Sequence, residues 1–271
     1  MLLALAFLVL IEQQSPGLTP SVKLAYVTAY DEQLALRDTL FSYPLLQSPS
    51  AAIADGGDLI LGEGQQLVRH DRFGVATKIG LPLNGVPTAL AFGERHDLFA
   101  AFTDEITRVD ATSGAVVRHV VLGERNYPPA DFDLDAGGCV AFIAFDNRLA
   151  RIDLCADVPR LETIATDGIF SALRILPDGR LLVASREALE VRGRDGALLA
   201  RYGVPATKLA LDPGGTTAIV FDGIALRRVD LATGAVIAGP APLQRGVYLR
   251  GMAVAGEWRA ANPRRRRASH P

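Results

Sequence analysis

The side chains able to do chemistry are few, and their spacing names no reaction. Four histidines occur, His70, His96, His119 and His270. A zinc or general-base site is most readable when ring nitrogens recur as H-x-H or H-E-x-x-H. None of the four has such a neighbour, so each reads as a surface or turn residue. No serine stands in a G-x-S-x-G elbow. A phosphate-cradling loop is absent, and Gly62-Glu63-Gly64 lacks the third glycine of a dinucleotide fingerprint. Catalytic residues therefore stay unassigned. No cofactor-binding or metal-ligating residue is assigned, and no cofactor is expected.

The carboxylates offer more. Asp131, Asp133 and Asp135 alternate with Phe132 and Leu134, and alternate residues of a strand share a face. Three acids on one side could hold Ca²⁺, which takes oxygen ligands, or could end a strand at solvent. A lactonase-like channel would also need asparagines at the axis, and only Asn84, Asn126, Asn147 and Asn262 are available. Cys139 and Cys155 are the two cysteines. They flank a hairpin around Asp146-Asn147. A three-residue loop sets them opposite each other; a two-residue loop sets Cys139 against Leu154 and turns the thiols to different faces. A disulfide and a pair of buried thiols both remain open.

The elements that must position these groups follow from composition and repetition. The chain has 271 residues, 49% hydrophobic and 21% charged, with a formal net charge of −2. That excludes a disordered chain. Gly and Pro follow no period and heptads are absent, which excludes collagen and coiled coil. No apolar run reaches the length of a membrane-spanning helix. Lysine occurs only at Lys23, Lys78 and Lys208, and the other cations are arginines, four of them at Arg264–Arg267. Without those four the body is acidic, so nucleic acid is not an expected partner. Leu2 to Ile11 is an unbroken apolar run. It is too short to span a bilayer and fits a leader core or anchor over 1–20, or else a buried strand. The expectation is an exported, periplasmic or extracellular protein with a single domain over 21–262 and a basic, disordered tail over 263–271.

Internal repetition carries the fold. One phrase recurs: apolar, variable, Arg, apolar, Asp, then a turn with Gly. Ile106-Thr107-Arg108-Val109-Asp110 with Gly114, and Leu226-Arg227-Arg228-Val229-Asp230 with Gly234, are full copies. Leu149–Asp153 and Leu67–Asp71 are partial, and Leu189–Gly193 is degenerate. The fifth positions, 71, 110, 153, 193 and 230, are spaced by 39, 43, 40 and 37 residues. Upstream of each phrase stand two apolar runs of strand length joined by a Gly- or Asp-bearing turn, and a fourth run follows.

Four short strands per unit is the mark of a β-propeller blade. A small sheet with two apolar faces must be covered by its copies. Five complete units are read at 45–84, 85–124, 125–166, 167–204 and 205–243. Leu24–Thr28 and Leu34–Thr39 read as the second and third strands of another blade, with Leu249–Ala255 as its first. The expectation is an all-β, six-bladed propeller of four-stranded antiparallel blades, seven being possible, closed by strands from both termini. The repeated Arg and Asp are expected to pair between turns or blades.

Tyr26-Val27-Thr28, Leu36-Arg37-Asp38-Thr39 and the turns after Asp110 and Asp230 resemble the YVTN/PQQ-like propeller repeats of bacterial and archaeal surface or periplasmic proteins. The resemblance covers roughly 22–262 and implies a scaffold. The Trp that usually follows the PQQ-type turn is missing, since Trp258 is the one tryptophan, and no quinone site carries over. The function expected is a non-catalytic extracytoplasmic propeller that binds a protein or small ligand through its loops and channel. The alternative is a channel enzyme, quinoprotein-like or lactonase-like, with a metal or substrate at the axis.

Overall fold

Runs of Val, Ile, Leu and Phe too short for helices, cut by Asp, Pro and Gly, fold here into strands alone. The computed structural model describes residues 6–14, 23–31, 33–45, 52–55, 58–71, 75–93, 97–123, 128–212, 214–243 and 247–255. No helix among them is long and apolar enough to cross a membrane.

The strands are β1 (Ala6–Gln14), β2 (Lys23–Tyr30) and β3 (Leu36–Leu45), then β4 (Ala52–Asp55), β5 (Asp58–Glu63), β6 (Gln66–His70) and β7 (Ala76–Ile79). Next come β8 (Ala89–Phe92), β9 (Asp97–Ala101), β10 (Glu105–Asp110) and β11 (Val116–Val121). They are followed by β12 (Asp131–Leu134), β13 (Val140–Phe145), β14 (Arg148–Asp153) and β15 (Leu161–Ala165). The chain continues with β16 (Ala172–Ile175), β17 (Leu181–Ala184), β18 (Leu189–Arg192) and β19 (Leu198–Tyr202). It ends with β20 (Lys208–Leu211), β21 (Thr217–Phe221), β22 (Ala225–Asp230), β23 (Val236–Pro242) and β24 (Val247–Ala255).

Strands β4 to β23 form five antiparallel sheets of four consecutive strands, one in each of the five sequence units. We call them blades 2 to 6. The remaining sheet, blade 1, has the order β24-β1-β2-β3. This corrects the expectation of a six-bladed, or seven-bladed, propeller. Only five blades are runs of four consecutive strands; the other sheet is a composite of three N-terminal strands closed by one from the far end. No seventh sheet occurs among the described residues.

The internal order of that composite is corrected too. Leu24–Thr28 lies in the third strand and Leu36–Thr39 in the fourth, because β1 enters between β24 and β2. Of the Leu2–Ile11 run, read as a leader core or a buried strand, the described part from Ala6 onward lies in β1, the second strand of this sheet.

The innermost strands β4, β8, β12, β16, β20 and β24 pack in succession around an axis. The core lies in the seams between blades. Phe99, Ile106 and Val120 of blade 3 pack on Phe132, Ile143 and Ile152 of blade 4. Val191 and Leu189 of blade 5 meet Leu209, Val220 and Val229 of blade 6. Each fully buried Leu, Ile or Phe contributes about 1.5–3 kcal/mol, so the sheets stabilise one another.

Candidate functional site

Inner strands β12 and β16, neighbours around the axis, carry Asp131, Asp133 and Arg174. An inner strand pairs on one side only, so its axis-facing N–H groups need partners from elsewhere. Here the alternate acids supply them. Asp131 Oδ2 accepts from Leu173 N at 3.1 Å and from Arg174 Nη1 at 2.6 Å. Asp133 Oδ2 accepts from Ile175 N at 2.9 Å. Asp135 Oδ2 accepts from Arg194 Nη2 at 3.3 Å, while its Oδ1 takes the amides of Cys139 and Val140. The shared face read from the alternation is real, but all three carboxylates reach into blade 5 as a zipper rather than converging on a cation. Among the described residues no group of His, Cys, Asp or Glu is arranged to hold a metal ion.

Electrostatics follow from that packing. Burial pushes the Asp133 carboxyl above its ordinary value, against the pull of Arg174 and two backbone amides. Arg174 loses some basicity to burial but is held above its usual range by Asp131 and Asp133. The arrangement therefore locks two blades with one guanidinium between two acids.

The other candidates are dispersed. His70 is buried and its Nε2 lies 2.8 Å from Glu63 Oε1. His119 Nδ1 lies 3.1 Å from Thr107 Oγ1. Asn84 and Asn147 stand exposed in a link and a turn, away from one another's strands. His96, His270, Asn126, Asn262, Trp258 and the 263–271 tail lie outside the described residues.

The repeated phrase is structural, and its arginine works within a blade rather than between blades. Arg108 Nε lies 3.0 Å from Asp97 Oδ2 on the neighbouring strand. Arg69 reaches Asp58 at 3.3 Å in the same way. Where blade 4 has no acid at that place, Arg151 turns to Glu162 at 2.8 Å. The phrase's aspartate closes the turn. Asp110 Oδ1 accepts from Thr112 N, Ser113 N and Ser113 Oγ, and Asp230 repeats this with Ala232 and Thr233. The bonds from Ser113 and from Thr233 hold these two carboxyls below the usual range.

Cys139 and Cys155 are bonded, with Cα atoms 5.2 Å apart. The hairpin has the two-residue loop, and Leu154 N donates to Cys139 O at 2.7 Å. In a continuing strand the thiols would diverge, but β14 stops at Asp153. Asp153 Oδ1 takes the amides of Cys155 and Ala156 and swings Cys155 back toward Cys139. The strand-only geometry missed this turn.

Sequence reasoning also missed Arg192. Its side chain is 3% exposed and donates to Glu190, Asp167 and the Gly196 carbonyl. It stands one place before the turn-aspartate position, which Gly193 fills, where the full copies carry Val109 and Val229, and it secures the turn by donating to the Gly196 carbonyl. An Arg at that place of the degenerate copy was the available signal.

No protein-family model and no curated relative matches the chain. Solved structures match over nearly its whole length. A protein of unknown function from Bacteroides caccae superposes with a TM-score of 0.68 at 13% identity, covering 93% of this chain and 100% of that one. A chain of the nidogen/laminin complex gives 0.64 at 13%, covering 92% and 98%. A catalytically inactive virginiamycin B lyase from Staphylococcus aureus, solved with quinupristin, gives 0.58 at 12%, covering 88% and 85%. At such identities the likeness defines a fold, and with the sheets above it defines a β-propeller.

Proposed function

We propose that this β-propeller is a non-catalytic scaffold of the YVTN/PQQ-like kind, working outside the cytoplasm and holding a protein or small ligand through its loops and channel. The observation that carries the reading is the contrast between the two ends of the disc. One end bears the 1–2 and 3–4 turns of the blades, among them those closed by Asp110 and Asp230. The other bears the 2–3 turns and the links between blades, and there Leu81, Ile169 and Ile224 are exposed by 82, 59 and 74%. The aspartate-turn end exposes the smaller Val75 and Val158, so the larger Leu and Ile side chains favour the link end as the docking surface. The Cys139–Cys155 bond favours an oxidising compartment.

A photo-cross-linking side chain at position 224 is expected to trap a partner in the native cell, and one at position 232 is not. Equal trapping at both ends, or none at 224, refutes the reading. Alkylation of the chain taken from native cells tests the location: free thiols at 139 and 155 in most molecules would oppose export.

A further inference from the structure

The rim of the disc carries an interaction surface of its own, apart from the loops and channel invoked above. Among the described residues, the outer strand of every blade has one edge without a strand partner. Free N–H and C=O groups along such an edge are a template for another strand, and natural sheets blunt them with proline or exposed charge. Five of the six outer strands are blunted here. β3 contains Pro44, and β23 contains Pro240 and Pro242. Lys78 on β7, Glu162 on β15 and Arg201 on β19 are exposed charges.

The outer strand of blade 3 is the exception. β11 reads Val116-Val117-Arg118-His119-Val120-Val121 and ends its sheet with no proline. Val116, Val117 and Val121 are exposed, Val121 by 70%. Its polar side chains are engaged within the molecule. Arg118 donates to the Leu154 and Ala156 carbonyls of blade 4 at 2.6 and 2.7 Å. His119 Nδ1 lies 3.1 Å from Thr107 Oγ1 and 3.5 Å from Glu105 Oε1, both on β10. Exposed Val158 follows two residues after Ala156 and extends the apolar strip onto blade 4.

We propose that the open edge of β11 pairs antiparallel with the β11 of a second copy of this chain, giving a twofold dimer with one sheet running through both discs. A second copy brings a strand that is already ordered, so pairing avoids the folding cost that a loose peptide would pay.

The strand also fits itself. Opposite residues of an antiparallel pair share a face, so the twofold passes between one residue and its own copy. Centred on Arg118, it would set two guanidiniums against each other, which is destabilising. Centred on His119, it lays Val116 and Val117 of each copy along the Val121 of the other, and apolar neighbours of that kind stabilise a sheet. Glu105 stands beside each central imidazole to offset its charge when protonated.

Sedimentation equilibrium of the full oxidised chain is expected to show a monomer–dimer equilibrium with a Kd below about 100 μM. Val117→Lys and Val121→Lys each act twice across the axis and are expected to weaken the dimer about tenfold or more. Val236→Lys, at an exposed valine on the proline-bearing edge of blade 6, is expected to leave it unchanged. The native cysteines are bonded to each other, so His119→Cys adds a single free thiol. It is expected to give a covalent dimer on mild oxidation, because opposite Cα atoms lie about 4.5–5.5 Å apart, within reach of a disulfide. A chain that stays monomeric throughout overturns the proposal, and so does a dimer that both lysine variants leave intact. A dimer broken by lysine but not cross-linked through position 119 overturns the twofold register. Thermal unfolding shows whether each variant is folded, and His119→Cys keeps the test alive should a lysine disturb the strand.

Discussion

Among the described residues, three seams of this propeller are closed by glycine, and two are closed by something else. After β10, Gly114 sits at φ 71° with its Cα against the backbone of Gly80, the residue following the outer strand of blade 2. Gly196 meets the Ile164 carbonyl and Gly234 meets the Tyr202 ring in the same manner. The turn of one blade thus rests on the outer strand of the blade before it, at a distance that admits no Cβ. Blade 4 has no glycine in its turn. There the disulfide shapes the loop, and Arg118 of blade 3 clamps its carbonyls.

The closing seam differs again. Asp31 caps the β2–β3 turn as Asp110 caps its own, but Leu34 takes the left-handed position, at φ 60°. Its side chain is buried among Phe221, Leu226, Leu249 and Met252. The repeat seams gain closeness by omitting a side chain. The closing seam accepts a strained backbone, about 1–2 kcal/mol for an L residue, and gains a plug between the first and last blades. β1 to β3 reach blade 6 only through strand pairing with β24 and through burial, so burial matters more there.

Six variants can break or refine that contrast, beginning with the most damaging. Gly114→Val puts a branched side chain into the Gly80 backbone, and a loss above about 4 kcal/mol is expected in chemical denaturation, or no folded protein at all. A tolerated valine would refute the close-contact account. Leu34→Ala should cost about 3–4 kcal/mol by emptying the plug. Leu34→Gly should be more stable than Leu34→Ala by about 1 kcal/mol, since it removes the same side chain and relieves the backbone. The reverse order would show that φ carries no strain.

Replacing both cysteines by alanine should cost about 3 kcal/mol on the chain-entropy model for a separation of 16 residues. It should also loosen the Arg118 clamp, seen as faster amide exchange at Cys155 and Ala156. Asp110→Asn should have the smallest effect. The Asp110 carboxyl is held low by Ser113, so its stabilisation is present above the unfolded carboxylate pKa and is lost as pH falls through the depressed folded value. The variant should therefore differ from wild type at neutral pH and converge with it in strong acid. Asp133 runs the other way. Its folded value is raised by burial, so its ionisation costs stability as pH rises through that value, and Asp133→Asn should flatten that part of the pH profile.

The phrase arginines show how much of this was readable. Their spacing located five blades and the turn aspartates, because each blade repeats the same local needs. It did not show where Arg108 or Arg151 would point, since a cross-strand acid is present in one blade and absent in the next. The acids at 131, 133 and 135 were legible as one face. Their use was not, because the amides they satisfy belong to a strand more than forty residues away.

The sequence by itself determined the all-β class, the five repeated units and the turns between their strands, since strand period and turn chemistry are local. The tertiary structure alone decided the strand order of the closing sheet, the disulfide, the carboxylate zipper and the hold of Arg118 on the loop of blade 4. Those depend on which distant edges meet, and meeting is decided by the burial of whole faces, which no short stretch of residues encodes.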